Sequence, residues 1–291
     1  MDSKIFQVPV NKNISLQKDF NPSLLPNNLD KPQSAAQLQA GIERLAQLQN
    51  KLYAQNSYSI LIIFQAMDAA GKDSTIKHVM SGINPQGCQV YNFKTPSTEE
   101  LDHDYLWRSS RCLPERGRIG IFNRSYYEEV LIARVHPHVL ASQKLPHQPK
   151  GDRIWQQRFQ DINHYEQYLT NNGVVILKFF LNVSKLEQKK RFLKRIDTPE
   201  KNWKFSMSDI EERQHWDQYQ IAYEDIFNHT STVAAPWFII QADHKWYTRL
   251  VVAEIIIKRL EELDLKYPTV NPEHDVILKE ARDRLNAESD R

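Results

Sequence analysis

One short stretch constrains this chain more than any other. Ser57-Tyr-Ser-Ile-Leu-Ile-Ile-Phe64 is apolar and β-branched once its first residues are passed. Such a run suits a parallel strand buried on both faces, which helices must then cover. A Gly-containing turn follows, and the pattern predicts a helix from Lys72 to Met80. The same rhythm returns along the chain. Strands are predicted at 87–93, 118–122, 173–180 and 236–241. Helices are predicted at 98–110, 125–135, Asp152–Thr170, 184–196, 208–227 and 246–263. An earlier helix at 34–56 carries Leu38, Ile42, Leu45, Leu48 and Leu52 at spacings of three and four. Five short strands alternating with helices predict an α/β fold, a three-layer α/β/α sandwich around one parallel sheet. Residues 1–33, polar and rich in Asn and Pro, read as an extended arm. The domain is expected over 34–265, with a surface helix or tail over 266–291.

Charge excludes several function classes. Lys and Arg number 38 against 36 Asp and Glu, so no global basic field advertises nucleic-acid or membrane binding. Any polyanion site must arise from local clustering. Cys88 and Cys112, two cysteines in all, cannot make a disulfide framework and fit a reducing compartment. The first residues lack a basic and then apolar leader, and no apolar run approaches the ~20 residues of a membrane span. The expectation is a cytoplasmic protein with no membrane or nucleic-acid partner.

The segment Gln65-Ala-Met-Asp-Ala-Ala-Gly-Lys-Asp-Ser-Thr75 follows the first strand and opens a helix. That is the context of a phosphate-binding loop, G-x-x-x-x-G-K-[ST]. Backbone N–H groups at a helix N-terminus cradle an oligophosphate, and the lysine offsets its charge. Gly71 and Lys72 fit the pattern; Ala66 replaces the first Gly and Asp73 the usual hydroxyl residue. Asp68 lies inside the loop, where an anion beside polyphosphate is costly unless a cation intervenes. Asp68 therefore reads as a Mg²⁺ ligand or as a base that orients the attacking oxygen. A plain strand–turn–helix with an acid at the helix start is the bland alternative.

Two further segments matter. Ile119-Gly-Ile-Phe-Asn-Arg-Ser-Tyr-Tyr-Glu-Glu129 ends the third predicted strand and puts Asn123 where a metal-positioning acid is usual, with Arg124, Glu128 and Glu129 beside it. Helical neighbours point ~100° apart, so the two glutamates need not face the same site. Arg124 and Glu128 alone could be a surface i,i+4 pair. Between Lys185 and Lys204, eight basic residues meet three acids, which suits a cationic lid and equally a solvated helix. Arg191 and Arg195 share a helical face. Together the segments favour phosphoryl transfer. His78, His103, His136, His138 and His215 lack metal-ligand spacing, and Trp155, Trp216, Trp237 and Trp246 sit in core-like patterns.

At this point the chain resembles the type-2 polyphosphate kinases over about residues 30–262. The likeness rests on Ala66–Asp73, Phe93-Lys-Thr-Pro-Ser97, His103-Asp-Tyr-Leu-Trp-Arg108, Ile121–Glu129, Asn202-Trp-Lys-Phe205, Glu212-Arg-Gln-His-Trp216 and Ala242-Asp-His-Lys-Trp246. The resemblance implies a phosphate-loop kinase fold with a helical lid at about 185–215. It implies transfer of phosphate between inorganic polyphosphate and nucleotides, AMP and ADP, with GMP and GDP as further candidates. Mg²⁺ is the implied cofactor, with Mn²⁺ as a substitute. Catalytic roles would fall to Asp68, Lys72, Arg124, Glu128 and Glu129, with metal held by Asp68, Glu128 and Glu129. The phosphate chain would meet Ala69, Ala70, Gly71, Lys72, Asp73, Ser74, Arg124, Arg134, Arg191, Arg195, Lys201 and Lys204. Lys94, Asp104 and Arg108 would line the acceptor side. Asn123, where many relatives carry Asp, followed by paired acids, resembles the subgroup using both nucleoside mono- and diphosphates. Relatives often form dimers or tetramers, so a homo-oligomer is implied. The rivals are an ATP-dependent nucleotide or small-molecule kinase of the same fold and a degenerate phosphate-loop scaffold.

Overall fold

The structure, a computed structural model, describes residues 2–26, 29–146, 151 and 153–288. Its centre is a five-stranded parallel sheet in the order β2-β3-β1-β4-β5. The strands are β1 Ser59–Gln65, β2 Cys88–Asn92, β3 Ile119–Asn123, β4 Val174–Asn182 and β5 Trp237–Gln241. Every residue of β1, β3 and β5 is buried, as their apolar runs require. β1 pairs with β3 on one side and β4 on the other, and Phe64 lies opposite both Asn123 and Phe179. From β1 the chain goes out to β2, returns to β3, then crosses to β4 on the far side. In such sheets ligands bind where the strand order reverses, at the carboxyl ends. Here that point lies beyond Phe64 and Asn123.

Alternation along the strands separates two helical layers. Phe64, Phe179 and Phe238 form one row of rings, with centroids 5.3 and 5.7 Å apart. The next residue, Phe180, points the other way onto Tyr223 and Phe227. On one side the helices Lys31–Gln55, Lys72–Val79 and Lys245–Glu261 pack together. On the other, Glu128–Val135, Arg153–Asn171 and Trp216–Thr230 do so. The helix expected to start at Asp152 begins its described part at Arg153, since Asp152 lies outside the described residues.

Three expectations need correction. The predicted helix 98–110 is two short turns, Thr98–Leu101 and Trp107–Ser110; between them the Asp104 side chain accepts from the Leu106 N–H two residues on, a local bond that competes with a continuous helix. The predicted helix 208–227 is Met207–Glu212 and Trp216–Thr230, joined by a tighter turn at Arg213–His215. The segment 1–33, expected as an extended arm, packs onto the domain through the first part of its described residues, and its last three residues open the helix Lys31–Gln55. Phe6, Val8, Ile14, Leu16 and Phe20 are buried, and Gln7 bridges to Phe238. Its polar composition masked five well-spaced apolar anchors. The helix Pro272–Ala287, by contrast, buries no residue.

β4 carries a charge into the core. Lys178 is fully buried and donates to Glu166 at 2.6 Å, to the Tyr127 hydroxyl at 2.9 Å and to the Thr230 carbonyl at 2.7 Å. Glu166 also accepts from the hydroxyls of Tyr126 and Tyr127. Removing one partner of such a pair strands the other, at about 3–5 kcal/mol. Lys178→Met is therefore expected to destabilise the fold by that amount. Adding Glu166→Gln should restore part of it, as urea unfolding of both variants would show.

Candidate active site

Beyond β1 the chain turns through Ala66–Gly71 into the helix Lys72–Val79. Gly71 has φ 112°, a value that suits glycine. Ala69 at φ 58° and Arg124 at φ 65° are also left-handed, at a cost of roughly 1–2 kcal/mol each. Strained residues just beyond two adjacent strands mark a place the fold holds against local preference. Lys72 folds back and donates to the Ala66 carbonyl at 3.0 Å. Its burial, and then the nearby Arg124 charge, push its pKa down. Arg124 donates to Asp68 at 2.9 Å and lies 3.8 Å from Glu128. Asn123 donates to Asp73 at 2.8 Å, and its own Oδ1 is buried with no partner.

These groups open onto a cleft of about 930 Å³. Ten of its lining residues are Lys or Arg and two are acids, Asp68 and Asp73. Of the candidate residues named from the sequence, Asp68, Ala69, Gly71, Lys72, Asp73, Ser74, Lys94, Arg124, Arg191, Arg195, Lys201 and Lys204 line it. Ala70 does not; it is buried, and its carbonyl accepts from Arg191. Glu128 lines a small adjoining pocket with Asp68 and Arg124.

Four expected residues lie elsewhere. Glu129 is buried between Arg108 and Arg158, at 3.6 and 3.7 Å, and hydrogen-bonds Gln143. The helical offset from Glu128 turns it away from the cleft. Arg134 pairs with Asp225 at 2.6 Å, binding two helices together. Asp104 accepts from the Leu106 N–H. Arg108 is buried and donates to the Lys94 carbonyl at 2.8 Å, so it holds the backbone of a cleft residue without lining the cleft.

Other cleft residues escaped the sequence reading. Lys77, His78 and Lys245 line it, and Arg249 donates to Ser74 at 2.7 Å. Burial, then the charges of Arg191 and Arg249, lower the Lys245 pKa. The signal was topological: Lys245 opens the helix after β5, whose carboxyl end shares the crevice with that of β1.

The match to the polyphosphate kinase 2 family spans residues 28–268. The chain belongs to this family. An ADP-polyphosphate phosphotransferase of Rhodopseudomonas palustris is 55% identical over 85% of this chain and 86% of its own length. An AMP/ADP-polyphosphate phosphotransferase of Meiothermus ruber is 45% identical over 77% and 80% respectively. The crystal structure of polyphosphate kinase 2 from Arthrobacter aurescens superposes with a TM-score of 0.86 at 38% identity, covering 95% of this chain and 96% of that one. The α/β phosphate-loop kinase fold follows from both lines. Among the described residues no helix is long and apolar enough to cross a membrane.

Lys72 gives this polyphosphate kinase 2 cleft a stability signature. A lysine whose pKa falls on folding binds fewer protons in the native state, so native stability climbs as pH rises toward the ordinary lysine range. Lys72→Met removes that penalty and leaves the Ala66 carbonyl without its donor. We expect Lys72→Met to be neutral or stabilising by up to about 1 kcal/mol at pH 7. Its advantage should shrink as pH rises, and denaturant unfolding at several pH values checks both.

Proposed function

We propose that this protein transfers phosphate between inorganic polyphosphate and the nucleotides AMP and ADP, forming ADP and then ATP. The observation that carries the reading is the cleft with its ten cationic side chains, opening on a phosphate loop. A polyanion of uniform charge needs a cationic track and no base reading. The names of the relatives support the donor, and one of them supports both acceptors. They disfavour an ATP-dependent kinase of other substrates.

The chemistry needs little beyond placement. An acceptor phosphate oxygen is already ionised near neutral pH, so general-base help is minor. It attacks the terminal polyphosphate phosphorus in line, and the bond to the next bridging oxygen breaks. Lys72 and Arg124 stabilise the charge on the equatorial oxygens, and the loop N–H groups hold them in place. Asp68, paired to Arg124, keeps that guanidinium aimed. The family implies Mg²⁺. Among the described residues no three His, Cys, Asp or Glu side chains converge as a metal cage. That donor set fits Mg²⁺, which is bound through one or two carboxylates with substrate phosphates and water. Asp68 would hold it, with Glu128 beyond Arg124 and the unpartnered Oδ1 of Asn123 as further hard oxygens. When bound it would draw charge from the bridging phosphate oxygens. Glu129, tied to two arginines, is not among the proposed ligands.

Purified protein with Mg²⁺, AMP and medium-chain polyphosphate, and no ATP, should yield ADP and then ATP by chromatography. ADP alone would restrict the acceptor, and activity only with ATP and another acceptor would refute the donor. Asp68→Asn and Lys72→Ala should fold yet lose about 10²–10³-fold in turnover. Wild-type rates in either would sink the assignment.

A further inference from the structure

The helix Lys185–Ile196, read from sequence as the start of a lid, is fastened to the phosphate loop. Arg191 is the main fastening. Its Nη1 donates to the carbonyls of Ala69 at 3.1 Å and Ala70 at 2.6 Å. Its Nη2 donates to Ala242 at 2.5 Å and Asp243 at 3.2 Å, at the end of β5. Its Nε donates to Glu187 at 2.8 Å. A guanidinium has five N–H donors, and these bonds use them all. One turn earlier, Gln188 donates to the Asp68 carbonyl at 2.9 Å, while its own amide oxygen accepts from Arg213.

Three successive carbonyls, of Asp68, Ala69 and Ala70, thus face this helix. Across a planar trans peptide the following N–H points the opposite way. The N–H groups of Ala69, Ala70 and Gly71 are therefore turned from the helix. Ala70 N–H is taken by the Met67 carbonyl at 3.3 Å. Ala69 and Gly71 line the cleft where Ala70 does not.

We propose that Arg191 and Gln188 are positioning residues for phosphoryl transfer, which pin the loop carbonyls outward and so aim its N–H groups at the phosphate. This rests on the function proposed above. It reassigns Arg191, which the sequence placed among the phosphate ligands: its donors are committed to the protein. Loss of the clamp would let the strained loop relax, and misplacement of about 1 Å can cost ~10²-fold in rate.

Salt separates positioning from binding. Each lysine or arginine that contacts the polyanion adds about one to the slope of log affinity against log salt. The experiment measures end-labelled polyphosphate binding by anisotropy across salt, and kcat and KM with AMP and polyphosphate, for the full chain. Arg191→Met should lower kcat by about 10²-fold and keep the wild-type salt slope. Lys201→Met, in the cleft, should flatten the slope by about one. Gln188→Leu, a milder change, should lower kcat several-fold at unchanged slope and serves where Arg191→Met does not fold. A flattened slope in Arg191→Met would make it a phosphate ligand and overturn the proposal. So would wild-type kcat in folded Arg191→Met or Gln188→Leu. Wild-type protein that binds polyphosphate yet transfers nothing to AMP or ADP would refute the functional reading, while the binding slopes still decide whether Arg191 touches the anion.

Discussion

Cationic side chains crowded around one cleft repel each other, and the fold must hold them there before any anion arrives. At an effective dielectric of ~20, two like charges 4 Å apart cost about 4 kcal/mol. The protein answers with neutral and negative acceptors placed between the charges. Asp68 and Glu128 flank Arg124, Asp209 takes Arg195 at 3.0 Å, and five oxygens surround Arg191. Most of those five are backbone carbonyls, which add no anion to compete with phosphate. Lys72 is held by a carbonyl too. The cleft therefore keeps its excess of cations while its arginines and Lys72 remain hydrogen-bonded.

That arrangement is possible only because the sheet brings the right backbone ends together. β1 delivers Asp68, β3 delivers Asn123 and Arg124, and the end of β5 supplies the Ala242 and Asp243 carbonyls. The parallel register sets Phe64 beside Asn123, so the loop after one strand and the turn after the other share a wall. Beneath them the Lys178–Glu166 pair reaches Tyr126 and Tyr127, two of the three residues between Arg124 and Glu128. A polar network in the core thus underlies the turn that carries the cleft's arginine. Fully satisfied networks of this kind define one packing arrangement.

The fold was legible because its signals are local. Each strand is a short apolar run, and each helix repeats at three and four residues, so all five strands fell within two residues of their predicted ends. The breaks at 102–106 and 213–215 were not legible. They go with Asp104 accepting from the Leu106 N–H and with Arg213 reaching back to the Lys185 carbonyl at 3.2 Å. The N-terminal segment misled for a related reason, since its anchors Phe6, Val8, Ile14, Leu16 and Phe20 are diluted among polar residues. In the candidate site, spacing pointed to the loop and to Arg124, which share one cleft. It could not say that Glu129, one residue from Glu128, serves Arg108 and Arg158 instead. Nor could it show Arg134 paired to Asp225 on another helix. A sequence displays charge, but the partner of a charge is a tertiary fact.

The partners divide the cleft's cations by residue type. Its arginines are committed to protein acceptors: Arg124 to Asp68, Arg191 to backbone carbonyls, Arg195 to Asp209 and the Lys204 carbonyl. Its lysines, apart from Lys72 on the Ala66 carbonyl, are freer. Among the described residues the ammonium groups of Lys77, Lys94, Lys194, Lys201 and Lys245 make no hydrogen bond or ion pair, and Lys204 stands 3.9 Å from Asp73. The division follows from the chemistry of the two groups. A guanidinium is a rigid planar fork suited to fixed, multidentate architecture, whereas an ammonium is a hydrated point charge on a flexible stem. A repeating chain of phosphates offers every cation the same ligand at each register. Under the function proposed above, flexible point charges would follow it from one register to the next without a preferred stop, while rigid forks would hold the one place where a bond must break.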